Sequence, residues 1–90
     1  MRINDLTNIA DHYGLEHQLG KCKEELNELI EAIDSLDEKA IVEEIADVEI
    51  MTEQLKYLMR TEPSVEIYKE YKIARQLRRI SREQSHECDN

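Results

Sequence analysis

Residues 23–48 read KEELNELIEAIDSLDEKAIVEEIADV. Two acid-rich stretches of helical spacing flank a short polar break at Asp34-Ser35-Leu36-Asp37-Glu38. The spacing predicts a helix on each side of a tight connection, which makes the two helices antiparallel neighbours. The first should run from about Glu16 to about Leu36, with Leu19, Cys22, Leu26, Leu29, Ile30 and Ile33 as its apolar stripe. On a wheel of about 100° per residue, Leu26 marks the middle of that stripe. The second should run from about Glu38 to about Met59, facing the core with Ile41, Ile45, Val48, Met51, Leu55 and Met59.

Outside this hairpin the pattern stays helical. Ile3, Leu6, Ile9 and Tyr13 give apolar spacing to a short first helix that Asn4 or Asp5 can cap, with Gly14 just past its end. Gly20 falls inside the next helix, where it either permits close packing or is tolerated at about 1 kcal/mol relative to Ala. Thr61-Glu62-Pro63-Ser64 ends the third helix. Ser64 can cap a fourth through about Arg82, and residues 83–90 read as a frayed polar tail. The expectation is an all-α, antiparallel bundle of about four helices over residues 1–82.

Composition agrees. The chain has 90 residues, 2 Gly and 1 Pro, which disfavours turn-rich β architectures. Hydrophobic residues are 40% of it, enough for a core. No apolar run approaches the roughly 18 residues of a membrane span, and residues 1–14 lack the pattern of a signal peptide. Cys22 and Cys88 lack metal spacing and read as reduced thiols rather than a disulfide. A cytoplasmic, soluble protein is the expectation. The 21 acids and 12 bases give a net charge of −9, a poor basis for general nucleic-acid binding. Residues 1–62 carry 16 acids and 6 bases, whereas residues 63–90 carry 5 and 6.

Four carboxylates stand against the helical pattern. Glu25 and Glu28, at i and i+3, lie at one edge of the apolar stripe. Glu44 falls inside the apolar arc of the following helix, and Asp47 lies at its edge. An ionised carboxylate on a core face costs several kcal/mol unless paired or metal-bound. The pairs could converge on one cation. Solvated helix surface, or a salt bridge from Glu44 to a fourth-helix cation, would explain the same residues. Oxygen ligands without His or Cys favour Mg²⁺, Mn²⁺ or Ca²⁺ over Zn²⁺. No Gly-containing EF-hand loop is present, and no Glu-x-x-His pair of a di-iron bundle.

The runs KEELNEL at 23–29 and EEIADV at 43–48 resemble the all-α MazG-type nucleoside triphosphate pyrophosphohydrolases. Their hallmark is E-E-x-x-E, a spacer, then E-x-x-D, matched here by Glu24, Glu25 and Glu28, then Glu44 and Asp47. The resemblance covers residues from about 12 to 80. It implies that Glu25, Glu28, Glu44 and Asp47 bind Mg²⁺, with Mn²⁺ as a substitute, and that Glu24 acts from outside the metal's direct ligands or positions water. It further implies cleavage of an NTP or dNTP to NMP and pyrophosphate in nucleotide-pool housekeeping, by a homodimer or homotetramer. The rival expectation is a non-catalytic helical interaction module whose acids are surface, or a regulator that has kept the fold and lost turnover.

Tyr68, Lys72, Arg75, Arg79 and Arg82 form one stripe of the fourth helix, read equally as phosphate contacts or as a solvated or intersubunit basic face. Lys72 and Arg75 are the phosphate candidates, with Lys21 a further one beside Glu25 and Glu28. With no Trp or Phe in the chain, His12, Tyr13 and His17 are the candidates to stack on a base, or else are ordinary packing.

Overall fold

The computed structural model describes residues 3–88 in backbone and 4–85 in side chain; the remaining end residues, with the side chains of Ile3, His86, Glu87 and Cys88, lie outside the described residues. Among the described residues there are four α-helices and no strand: α1 (Ile3–Tyr13), α2 (Leu15–Ser35), α3 (Glu38–Met59) and α4 (Glu62–Cys88). They fall into two compact units, residues 1–60 and residues 61–90.

Local chemistry sets the boundaries. Gly14, at φ 83°, adopts the conformation that glycine takes without a Cβ penalty, so one residue separates α1 from α2. Its N–H donates to the Ala10 carbonyl at 2.8 Å, and its own carbonyl accepts from Gln18 N–H at 3.0 Å. Between α2 and α3 only Leu36 and Asp37 are non-helical. Leu36 is left-handed at φ 59° and donates to the Ile33 carbonyl at 3.1 Å. Asp37 caps α3, its Oδ1 accepting from Lys39 N–H at 3.1 Å and Ala40 N–H at 3.4 Å.

Three expected ends move. α1 already includes Ile3, so Asn4 and Asp5 sit inside its first turn rather than capping it. α4 starts at Glu62, not after Ser64, and the Thr61 carbonyl accepts from Val65 N–H at 2.9 Å. Pro63 therefore lies in the first turn, where its missing N–H would have no intrahelical partner. α4 also continues to Cys88 in place of a frayed tail from residue 83, since residues 83–88 contain neither Gly nor Pro to stop it.

In the first unit α2 and α3 pack as a hairpin, and α1 lies against α3 more than against α2. The buried positions of α2 are Gln18, Cys22, Glu25 and Ala32, with Leu29 half-buried between the last two. That alternating spacing of four and three is a helix–helix seam. It is rotated from the expected stripe, because Leu26, Ile30 and Ile33 remain exposed beside it. On α3 Met51 and Gln54 are buried, and Ile41, Glu44, Val48 and Leu55 are half-buried, while the expected core residues Ile45 and Met59 are exposed.

Gly20 faces open space, since a Cβ there would meet nothing within 4 Å. Close packing does not require it. Gly20→Ala is expected to stabilise the protein by about 0.5–1 kcal/mol through helix propensity. Thermal melting should show a midpoint raised by several degrees; an unchanged or lower midpoint would mean that Gly20 has another task.

Candidate metal centre and the adjoining groove

The hairpin brings together the four carboxylates that the sequence sets apart. One oxygen from each of Glu25, Glu28, Glu44 and Asp47 lies within 4.8 Å of all the others. Glu25 sits in the seam at 8% exposure, Glu44 is half-buried, and Glu28 and Asp47 are open to solvent. The cluster thus has an inner side in the hairpin and an outer side reachable by a ligand.

Its electrostatics are unbalanced. Burial pushes the Glu44 carboxyl above its ordinary value, and the charges of Glu28, Asp47 and Glu25, with a hydrogen bond shared with Glu28, push the same way. Glu25 Oε2 and Glu44 Oε2 are buried without a hydrogen-bond partner. Buried carboxylate oxygens without donors are costly. The neighbouring cation is Lys21, whose Nζ lies 3.3 Å from Glu24 Oε2 and 3.5 Å from Glu25 Oε1. Hydrogen bonding and charge from Glu24, then from Glu25, raise the Lys21 ammonium above its ordinary value. That contact serves the other oxygen of Glu25 and leaves Oε2 without a donor. Four carboxylates, two of which carry a buried oxygen without a donor, form a group that could hold a metal ion. The nearby Cys22 thiol is pushed up by burial and then by Glu25.

Glu24 is exposed at the border of the cluster and engages Lys21. Both residues also line a groove of about 630 Å³ in the first unit. Tyr13 and His17 line it too, their rings stacked at 4.6 Å with 17° between planes. His12 meets Tyr13 edge-on at 4.7 Å and is not among the lining residues. Lys72 and Arg75 belong to α4, in the second unit, where the Arg75 guanidinium lies 5.7 Å from the centre of the Tyr71 ring.

The groove adds two residues that the sequence reading passes over. Gln18 and Gln54 are 3% and 2% exposed, and Gln18 Nε2 donates to Gln54 Oε1 at 2.6 Å. Gln18 Oε1 lies 2.7 Å from His17 Nδ1. Their signal was positional: Gln18 is four residues before Cys22 and Gln54 three after Met51, so both continue buried rows.

No family model, curated protein or solved structure matches the chain.

Proposed function

We propose that the chain is a Mg²⁺-dependent nucleoside triphosphate pyrophosphohydrolase of the MazG type, converting an NTP or dNTP and water to NMP and pyrophosphate. The observation that carries this reading is the convergence of four carboxylates with two buried, donorless oxygens. A surface acidic patch would leave those oxygens in water, and the Lys21 ion pair reaches only the other oxygen of Glu25.

Glu25, Glu28, Glu44 and Asp47 are the proposed ligands. Bound there, Mg²⁺ would offset phosphate charge and lower the pKa of a coordinated water. The protein supplies the rest. The hairpin backbone sets the two carboxylate pairs opposite one another before a ligand arrives. Lys21 presents an ammonium to phosphate at the border of cluster and groove, and Glu24 beside it orients the attacking water. Tyr13 and His17 offer an aromatic wall.

The test is a panel of NTPs and dNTPs incubated with Mg²⁺ or EDTA and scored for products. NMP and pyrophosphate are expected, with ¹⁸O from labelled water entering the NMP. NDP and phosphate, or label in pyrophosphate alone, would sink the mechanism; no metal-dependent product at all would favour the interaction-module alternative.

The active species is proposed to be a homodimer or homotetramer. Leu26, Ile30 and Ile33 on α2 and Val42 and Ile45 on α3 are large apolar side chains left in solvent. Exposed aliphatic surface of this kind in a small domain supports association. Light scattering at micromolar concentration should give a mass at least twice the 10.6 kDa chain. A fully active particle at the chain mass would refute it.

A further inference from the structure

Gln18 and Gln54 are the most deeply buried polar side chains described in the molecule, and the metal centre makes no use of them. They form a directed relay. The carboxamide oxygen of Gln18 can only accept, so the 2.7 Å contact makes His17 Nδ1 the protonated, donating nitrogen. The amide nitrogen of Gln18 then donates to Gln54 Oε1. Each step fixes the next, and the Gln54 carboxamide is oriented with its oxygen already engaged. Its Nε2 has no hydrogen-bond partner among the described residues, although the side chain is 2% exposed and lines the groove. That donor is not sealed from solvent, so water or a ligand group in the groove can accept from it.

The groove around that donor suits a flat ring. Tyr13 and His17 give a stacked aromatic wall, and Ile9, Ile50 and Met51 give apolar surface. At its other border stand Lys21 and Glu24, and Lys21 touches the cluster member Glu25. A ligand with a heterocycle at one end and phosphates at the other matches that order of aromatic wall, cation and acids.

Resting on the hydrolase reading above, we infer that the His17–Gln18–Gln54 relay selects the base: Gln54 Nε2 donates to an exocyclic carbonyl, so the site takes keto bases of the uracil or hypoxanthine kind and rejects their amino counterparts. An amino base would place a second donor against Gln54 Nε2. It could be accommodated only by reversing both amides and the His17 proton together. A site built to hydrogen-bond one group discriminates strongly against an analogue that cannot complete the bond.

The experiment uses metal-free wild-type protein titrated with uridine, cytidine, inosine and adenosine. The readout is the side-chain amide NMR signals of Gln18 and Gln54. Uridine should bind at least ~10-fold more tightly than cytidine, and inosine than adenosine, each moving the Gln54 amide signal. Equal binding within each matched pair, or no shift with any nucleoside, overturns the inference. Neither phosphate nor metal is present, so hydrolysis is tested separately. Keto-selective binding without turnover of any triphosphate refutes the hydrolase reading alone. Turnover of UTP and CTP at equal kcat/KM refutes the base selection alone. Gln54→Met removes the donor at similar volume and should bring each pair within about threefold, with helical circular dichroism retained. Persistence of the full preference in a folded Gln54→Met protein overturns the role of Gln54, and if that variant does not fold the wild-type titration decides.

Discussion

Glu44→Gln should leave a folded helical protein whose kcat/KM is reduced by at least ~100-fold, the order expected when several kcal/mol of charge stabilisation are lost from a metal site. The change keeps the shape of the side chain and removes the charge. Full turnover at saturating Mg²⁺ would show that Glu44 is not a ligand. Glu25→Gln, Glu28→Gln and Asp47→Asn should fall in the same direction. The variant should also be more stable than wild type when metal is absent. Burial and the neighbouring acids raise the folded-state value of Glu44 above its ordinary 4.5. A raised carboxyl binds its proton more tightly in the folded chain than in the unfolded one. Its contribution therefore favours folding at low pH and is lost as pH rises from 4.5 through the raised value. Metal-free wild type should show that loss in thermal melts across pH, and Glu44→Gln should lack it. Superimposable pH profiles would remove the strained-cluster interpretation.

Metal removal should abolish turnover altogether, because an acidic cluster without a cation repels a triphosphate. EDTA should bring product formation to background, and Mg²⁺ or Mn²⁺ should restore it. The same ion should stabilise the fold. At a free concentration of 100 times Kd, a ligand specific for the folded state contributes about 2.7 kcal/mol. For a domain of this size that is a rise in Tm of roughly 10 °C or more. The rise should be larger at pH 8 than at pH 5, where protons compete for the same oxygens. A Tm indifferent to Mg²⁺ at both pH values would exclude a built divalent site.

Much of the helical framework could be read from residue spacing. α3 has the expected bounds because Asp37 caps it and Arg60 ends it in a left-handed turn. The position of Glu44 within a half-buried row was legible for the same reason: one acid among Ile41, Val48 and Leu55 stands out. The burial of Glu25 was harder to see. The wheel placed the centre of α2 at Leu26, where the large aliphatic residues are, whereas the hairpin places small and polar residues in its seam and leaves the aliphatic ones at the flank. Periodicity locates the apolar side of a helix; which part of that side meets a neighbour depends on how closely two backbones can approach. Gln18 and Gln54 were missed on the same account, since a glutamine in a buried row looks in sequence like one on a surface. The start of α4 was missed because Pro63 reads as a stop signal and acts here within an opening turn.

The two-residue link at Leu36–Asp37 constrains how this chain can vary in length. Glu28 and Glu44 each stand eight positions from Leu36, and Glu25 and Asp47 each stand eleven. Equal counts along two antiparallel helices put the paired acids at matching heights, as rungs measured from a common fold line. Deleting one residue between the link and either pair would displace that pair by about 1.5 Å along its helix and turn it by about 100°. The four oxygens would no longer face one another, although the helix itself would survive. Extra residues at positions 36–37 lie outside both arms and spare their counts. Related chains that keep the chemistry should therefore differ in length at the link and hold the number of residues in each arm fixed.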